Sequence, residues 1–270
     1  MIGLLIKIWY EVRWPVKFFS LGLGIIMCLL TILLPKVLGD IHRVFEKMPF
    51  VKPLITALLG IDPGNQLTAQ MTQAFLWVHP TVLTLIWAHE VMYCTRMPAG
   101  EVDRGTMDFL MSLPMSRWKI FIAETIGWIL TGVIILAGGL LGHSIASNFL
   151  RPEMQASFRQ AAFVILNLFC VYLVVGSFSF LVSSCCDRRG RAMGIVFAVL
   201  LLSFLLNFLA QFWDVAKLFR FLSVLEYYRP AVIIQSNTFP MQDIVILLSL
   251  AGLIWGAAGT VFRHRSLCTV

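Results

Sequence analysis

The stretch EVDRGTMDFLMSLPMSR, from Glu101 to Arg117, is the most polar-patterned run in a chain that is otherwise strongly apolar. Of the 270 residues, 59% are hydrophobic and only 13% are charged, whereas about a quarter of the residues are charged in soluble domains. A soluble core of this size could not bury so much apolar surface. The composition therefore predicts a membrane protein that crosses the bilayer several times and carries one polar segment at Glu101–Arg117.

Long apolar runs lie on both sides of this segment, and a spanning helix needs about 20 such residues. Six runs are predicted as spans: Phe18–Pro35, Gln73–Tyr93, Ile120–Ile145, Ala161–Ser183, Met193–Trp213 and Ile244–Phe262. Pro80 is expected to kink the second one. Neither an internal repeat nor a linker divides the chain, so residues 1–270 are predicted to form one all-α transmembrane domain.

The distribution of basic residues predicts the orientation of this domain. Six spans place both termini on one side, where the connecting segments hold twelve Lys and Arg residues, against nine in the longer segments of the other side. Because cytoplasmic segments are enriched in Lys and Arg, we expect both termini and residues 101–117 to be cytoplasmic. The net charge of +7 is then a property of these membrane-flanking segments and does not indicate nucleic-acid binding.

Two further segments are apolar but are not predicted to span the membrane. Residues 1–17 show helical spacing of apolar side chains interrupted by charges, which is typical of a helix that lies in the membrane interface. Residues 214–242 are too apolar for a solvated loop, and Pro230 interrupts them. A re-entrant pair of half-helices and a flat interfacial helix both fit the second pattern, and the re-entrant form is favoured.

Within the polar segment, the residue types predict a short helix with defined ends. Gly105 should interrupt any helix that crosses it, Thr106 can cap a new helix, and Asp108 suits the positive end of that helix. Pro114 should end the helix, and Ser116 can cap the next one, which leads into the third span. The predicted product is a firm cytoplasmic helix parallel to the membrane, without converging catalytic groups, as expected of a docking element.

Sequence motifs for chemistry are missing from the chain. It has no GxxxxGK[ST] phosphate loop, and its six cysteines show no CxxC pattern or zinc-ligand spacing to a histidine. The candidate intramembrane polar residues are His89, Glu90 and Glu124, near the cytoplasmic ends of spans two and three. Interfacial or structural roles are favoured for them, and Glu124 is expected to pair with Arg117, Lys119 or His89.

The run Glu101–Arg117 resembles the E-x-x-x-G-T-x-x-x-L-x-x-x-P-x-S-R signature of ABC-2 type transporter permeases. The segment LSVLEYYRP (222–230) resembles the L-S-P-F-x-Y-Y-x-P segment of that family and departs from it at Val224 and Leu225. The segment FRHRSL (262–267) resembles the closing F-x-R-R-D-L and departs from it at Arg265 and Ser266.

The resemblance implies a membrane subunit of an exporter in a bacterial-type plasma membrane, working with a cytoplasmic ATPase subunit that binds ATP and Mg. It also implies a second permease chain, identical or different, and no catalysis or cofactor binding by this chain. The helix after Gly105 would be the coupling helix that contacts the ATPase. The implied coupling residues are Glu101, Arg104, Gly105, Thr106, Asp108, Leu110, Leu113, Pro114, Ser116 and Arg117.

Three alternatives stay open at this point. One is an ATP-independent channel or secondary transporter, and another is a membrane-embedded enzyme that uses His89, Glu90 and Glu124. A third keeps the family but gives the complex a role in assembly, regulation or motility. The apolar composition of the spans mildly favours an amphipathic or lipid-like substrate over an ion.

Overall fold

The computed structural model describes residues 1–38, 47–48, 50–59, 69–152, 155, 157–210 and 212–266, and these residues form helices and connecting turns without a β-strand. The helices are α1 (Ile2–Leu38), α2 (Val51–Leu59), α3 (Ala69–Val78), α4 (Pro80–Cys94), α5 (Met107–Met111), α6 (Arg117–Ser147), α7 (Phe158–Cys185), α8 (Arg189–Leu209), α9 (Asp214–Leu218), α10 (Pro230–Ser236) and α11 (Met241–His264). Five of them, α1, α6, α7, α8 and α11, are long and apolar enough to cross a membrane. The predicted all-α membrane class is confirmed.

The predicted second span is divided into two helices. α3 ends at Val78 and α4 begins at Pro80, and His79 between them has extended backbone dihedrals (φ −58°, ψ 130°). Proline disfavours α conformation in the preceding residue, and here the expected kink is a complete break. The imidazole Nδ1 of His79 accepts a hydrogen bond from the backbone N–H of Thr81 (3.3 Å) and caps α4.

α1 is a single helix of 37 residues, so the prediction of a separate interfacial helix at residues 1–17 was wrong. At 1.5 Å per residue α1 is about 55 Å long, almost twice the thickness of the hydrocarbon core. Its N-terminal half must therefore project beyond the hydrocarbon. The apolar stripe that suggested a surface helix is buried within the protein instead: Leu4, Ile8, Val12, Val16, Phe19, Leu23 and Met27.

The bundle is built on two extensive helix pairs, α1 with α6 and α7 with α11. In its most apolar stretch, α7 has 61% of its residues buried, which makes it the centre of the bundle. The corresponding share for α8 is 17%. α8 therefore lies at the edge, with most of its side chains directed away from the protein.

The segment predicted as re-entrant, residues 214–242, consists of short helices and 3₁₀ turns between α8 and α11. Its second half packs into the bundle: the Asn167 amide donates to the carbonyl of Tyr227 (3.1 Å), and the Gln160 amide donates to the carbonyl of Ile234 (2.7 Å). Because Asn167 lies about 10 Å further along α7 than Gln160, the chain between Tyr227 and Ile234 runs along α7.

Several helix ends meet on one face of the bundle, called the 96–117 face below. The backbone N–H of Arg189, which begins α8, donates to Asp103 (3.3 Å). Arg265, after the end of α11, donates to the carbonyl of Ser184 (2.7 Å) and pairs with Asp187. Together with an ion pair from Arg96 to α1, these contacts bring to one face the four basic segments that were predicted to share a side.

Candidate functional site on the 96–117 face

The predicted docking segment begins with a wide buried turn, Arg96–Gly100, followed by a helical turn at Glu101–Asp103. Gly105 then has φ +70°, a left-handed conformation that glycine adopts without strain. The predicted interruption at Gly105 is thus present. Thr106 stands at the N-cap position of α5, but its hydroxyl does not cap the helix.

The Thr106 hydroxyl instead donates to the carboxylate of Glu101. The other carboxylate oxygen of Glu101 accepts from Arg104 Nη2 (2.7 Å), and its backbone carbonyl accepts from the N–H of Thr106 (2.9 Å). Glu101 is only 6% exposed. Its side chain therefore closes the loop around Gly105 and fixes the direction in which α5 leaves it. The sequence alone did not suggest this role.

We expect Glu101→Ala to loosen this loop without unfolding the protein. A hydrogen bond to a charged group contributes about 1.5–3 kcal/mol, whereas the pair with Arg104, whose side chain is 55% exposed, adds little. Hydrogen exchange of amides 102–111 should become about tenfold faster. Glu226→Ala, which removes the carboxylate partner of Arg220, is the control and should leave these amides unchanged.

α5 has one buried side and one exposed side. Met107 and Leu110 are buried, whereas Phe109 is 72% exposed. The helix ends at Met111, earlier than the predicted end at Pro114, and residues 112–115 form turns. Among the implied coupling residues, Glu101 and Leu110 are buried and Leu113 is partly buried; Arg104, Gly105, Thr106, Asp108, Pro114 and Ser116 are exposed.

Residues 116 and 117 connect this segment to two long helices. The Ser116 hydroxyl accepts from the backbone N–H of Lys119 (3.4 Å), so its predicted role as the cap of α6 is confirmed. Arg117 donates through Nη1 to the carbonyls of Phe262 (3.4 Å) and Arg263 (3.3 Å), at the end of α11, and to that of Arg265. It therefore binds the negative end of the α11 dipole.

An ion cluster lies behind the segment. Arg96 donates to the carboxylate of Glu11 on α1 and to that of Glu124 on α6, so the predicted partners of Glu124 were wrong. The guanidinium also lies 5.3 Å from the ring centre of Tyr93. Burial is the largest single influence on the pKa of Arg96 and would lower it, but the neighbouring groups, first among them the Glu124 carboxylate, together outweigh burial and raise that pKa. Arg96 thus joins α1, α4 and α6 near the 96–117 face.

The structure does not bring His89, Glu90 and Glu124 together around one space. The His89 ring faces the rings of Phe19 (5.4 Å) and Tyr172 (6.4 Å). Glu90 is fully buried, with its carboxyl against Gly176 and the indole of Trp128. Since Glu124 is held by Arg96, the three groups have three different surroundings, and the geometry gives no support to an enzyme that uses them jointly.

Metal-ligating side chains are not clustered in the part of the chain that the structure describes: it contains no group of three or more His, Cys, Asp or Glu residues able to hold a metal ion. The 96–117 face presents a short helix with one exposed side, and Arg96 and Arg117, in the segments before and after it, bind α1, α6 and α11.

Comparison with known proteins identifies the family. No curated protein and no solved structure matches the chain. A family model described as "ABC-2 family transporter protein" matches residues 90–242, which is more than half of the chain and includes the whole 96–117 segment. The chain therefore belongs to the ABC-2 family of transporter proteins and is a multi-pass membrane permease.

Proposed function

We propose that this chain is the permease subunit of an exporter driven by a separate cytoplasmic ATPase, and that α5 is the helix on which the ATPase acts. ATP and Mg bind to the ATPase, and this chain holds neither. A second permease chain pairs with this one to enclose the transport path. The termini and the 96–117 face are cytoplasmic, in a plasma membrane of the bacterial type.

One observation supports this proposal most strongly: α5 is exposed on one side, and the segments before and after it are attached to the bundle. The side chain of Phe109 projects from the face with 72% of its surface exposed. Before α5 the chain is tied to α1 and α6 through Arg96, and after it Ser116 and Arg117 join α6 and α11. A force on α5 is thus transmitted to three long helices.

The direct contact with the ATPase is assigned to exposed residues. An exposed phenylalanine flanked by Asp108 and Ser112, which are also exposed, can fill an apolar hollow of a partner, as anchor residues do in protein interfaces. Glu101 and Leu110 are buried in this chain, so their contribution is to hold α5 in place. A substitution at Leu110 would therefore damage the structure of α5, and its effect on docking could not be measured separately.

Phe109→Asp is expected to weaken ATPase association at least tenfold, because a buried aromatic anchor contributes about 2 kcal/mol or more. The chain is solubilised from its native membrane, captured through a tag, and the bound proteins are identified by mass spectrometry. The control is Phe149→Asp, since Phe149 is 78% exposed at the opposite end of α6. α6 is about 46 Å long, so its ends lie on opposite sides of the membrane.

The decisive result is an ATPase with a phosphate-binding loop that is captured by the wild type and by Phe149→Asp but lost from Phe109→Asp. Capture of the same ATPase by all three chains would show that α5 does not dock. If no nucleotide-hydrolysing protein is captured by the wild type, the proposed ATP-driven function is wrong.

A further inference from the structure

A groove between α6, α7 and α11 is not used by the docking proposal. Its volume is about 320 Å³. Trp128 and Leu173 form apolar walls, and the exposed Gly252 at its edge shows that the groove opens on the outside of the bundle. One hydrogen bond crosses it from α11 to α6, from the indole nitrogen of Trp255 to the hydroxyl of Thr125 (3.0 Å).

The groove lies within the hydrocarbon part of the membrane. Ser177, on its wall, precedes the end of α7 by eight residues, and Gly256, one turn beyond it on α11, precedes the end of α11 by eight residues. At 1.5 Å per residue, both lie about 12 Å inward from the helix ends on the 96–117 face. α11 is about 36 Å long, only slightly longer than the hydrocarbon core is thick. Acyl chains or another protein must therefore cover the groove.

Ser177 brings to the groove a hydrogen-bonding group without a partner. The residue is only 2% exposed, and its hydroxyl makes no hydrogen bond within the described residues. The indole nitrogen of Trp128 is unpaired and has no accessible surface, but the Ser177 oxygen is not among the atoms sealed off in this way, so the surface that it retains faces the groove. Acyl chains cannot pair with a hydroxyl, and an unpaired polar group in hydrocarbon is costly.

Next to the groove, α11 has a stripe of small residues on its outward side: Ser249, Gly252, Gly256 and Thr260. No heavy atom lies within 4 Å of the Cβ positions of Gly252 and Gly256. The outward sides of two other long helices carry large aliphatic side chains instead: Leu21, Ile25, Leu29 and Leu33 on α1, and Ile195, Val199, Leu202 and Leu205 on α8. Large side chains suit contact with lipid, whereas small residues spaced by four allow close approach of another helix.

We propose that a transmembrane helix of a partner membrane protein packs on this stripe and inserts a polar side chain into the groove. Small residues on both helices bring the two backbones together, and a Ser, Thr, Asn or Gln of the partner forms a hydrogen bond with Ser177. The contact is separate from the 96–117 face and does not depend on the proposed ATPase.

A symmetric pair of α11 helices from two copies of this chain does not meet these requirements. At the depth of Ser177, the outward residues of α11 are Gly256 and Ala257, which have no polar side chain. The hydroxyl of Thr260, one turn nearer to the 96–117 face, already donates to the carbonyl of Ala257 (2.7 Å). The occupant is therefore a helix of different sequence.

Binding is measured on the full chain in phosphatidylcholine liposomes, with a synthetic transmembrane peptide as the probe. The peptide has about 20 residues, mostly leucine, with two glycines spaced by four and one glutamine at the depth of Ser177. A matched peptide has leucine in place of the glutamine. Association is followed by energy transfer from a donor on the chain to an acceptor on the peptide. We expect both peptides to bind, and the glutamine peptide to bind about threefold more tightly.

Variants test the residues. Gly256→Leu should weaken binding of both peptides at least tenfold, because the new side chain separates the backbones. Gly194→Leu on α8 is the matched control: Gly194 is also exposed with open space at its Cβ position, and binding should not change. Ser177→Ala should abolish the preference for glutamine and leave binding of the leucine peptide unchanged. A purely structural role of Ser177 would not produce that difference.

Four results would overturn the proposal. Absence of energy transfer with the wild-type chain would show that lipid covers this face. Equal loss in Gly194→Leu and Gly256→Leu would show that the peptide has no defined site. Equal weakening of both peptides by Ser177→Ala would show structural damage. Energy transfer between two copies of the chain that Gly256→Leu abolishes would assign the stripe to a second copy.

Discussion

Replacing Arg96 with methionine is expected to destabilise the protein by about 3–5 kcal/mol, because it leaves a buried carboxylate without its partner. Glu124 is 5% exposed, and its side-chain partner in the structure is Arg96. The apolar substitute retains most of the side-chain volume, so the expected loss comes from the unpaired charge. Glu11 is affected less, since it is exposed and keeps its ion pair with Lys7.

A double variant separates this charge effect from loss of packing. Arg96→Met combined with Glu124→Met removes both buried charges, and buried ion pairs can often be replaced by apolar residues at little cost. The double variant should therefore recover most of the stability that Arg96→Met loses, as measured by chemical or thermal unfolding in detergent. Arg104→Met is the control and should cost less than about 1 kcal/mol, because the Arg104 side chain is 55% exposed. A double variant less stable than Arg96→Met would contradict the argument.

The importance of Arg96 could not be predicted from the sequence, and the reason is general. Its partners Glu11 and Glu124 are 85 and 28 residues away along the chain. Helix periodicity describes which residues share a face of one helix but not which faces meet. The only available signal was an arginine directly after an apolar run, and that signal is equally typical of a headgroup anchor.

Features that depend on neighbouring residues were predicted better. The interruption at Gly105 and the cap at Ser116 follow from the low helix propensity of glycine and from one local hydrogen bond, and both are present. Predictions from the local sequence pattern were less accurate where tertiary contacts favour a different structure. Residues 1–17 have the pattern of a surface helix, but their apolar face packs on α6 in a helix that continues into the membrane.

The end of α5 also differs from the end that the local sequence predicts. Pro114 disfavours α conformation at the preceding residue, which predicts a helix end there, but α5 already ends at Met111. The residue types in this segment also did not show which side chains would be buried and which would be exposed. Glu101 and Leu110 hold the loop and helix together, and Phe109, which the sequence signature leaves unspecified, has a side chain that is 72% exposed.

Gly142→Ala is expected to destabilise the protein by about 3 kcal/mol through the contact between α1 and α6. A Cβ atom at residue 142 would overlap the carbonyl oxygen of Gly24 and would lie 2.7 Å from its carbonyl carbon and 2.8 Å from its Cα. All three atoms belong to the backbone, so no side-chain rotation can relieve the overlap. The two helices would have to separate.

The neighbourhood of Gly142 shows that separation would break a continuous interface. One turn earlier on α6, a Cβ at Gly138 would lie 2.7 Å from the carbonyl oxygen of Ser20, which is one turn earlier on α1. The adjacent His143 makes a 3.0 Å hydrogen bond with the Thr31 hydroxyl across the same pair of helices. Small residues spaced by four allow such close backbone approach in membrane helices.

Gly256→Ala on α11 is the matched control, because no heavy atom lies within 4 Å of the position that its Cβ would take. There the substitution should stabilise the helix by up to about 1 kcal/mol, since alanine favours helix more than glycine does. Opposite signs at two helical glycines would show that packing, and not helix propensity, determines the effect at Gly142. Equal effects would mean that α1 and α6 are further apart at Gly142 and Gly24 than the structure shows.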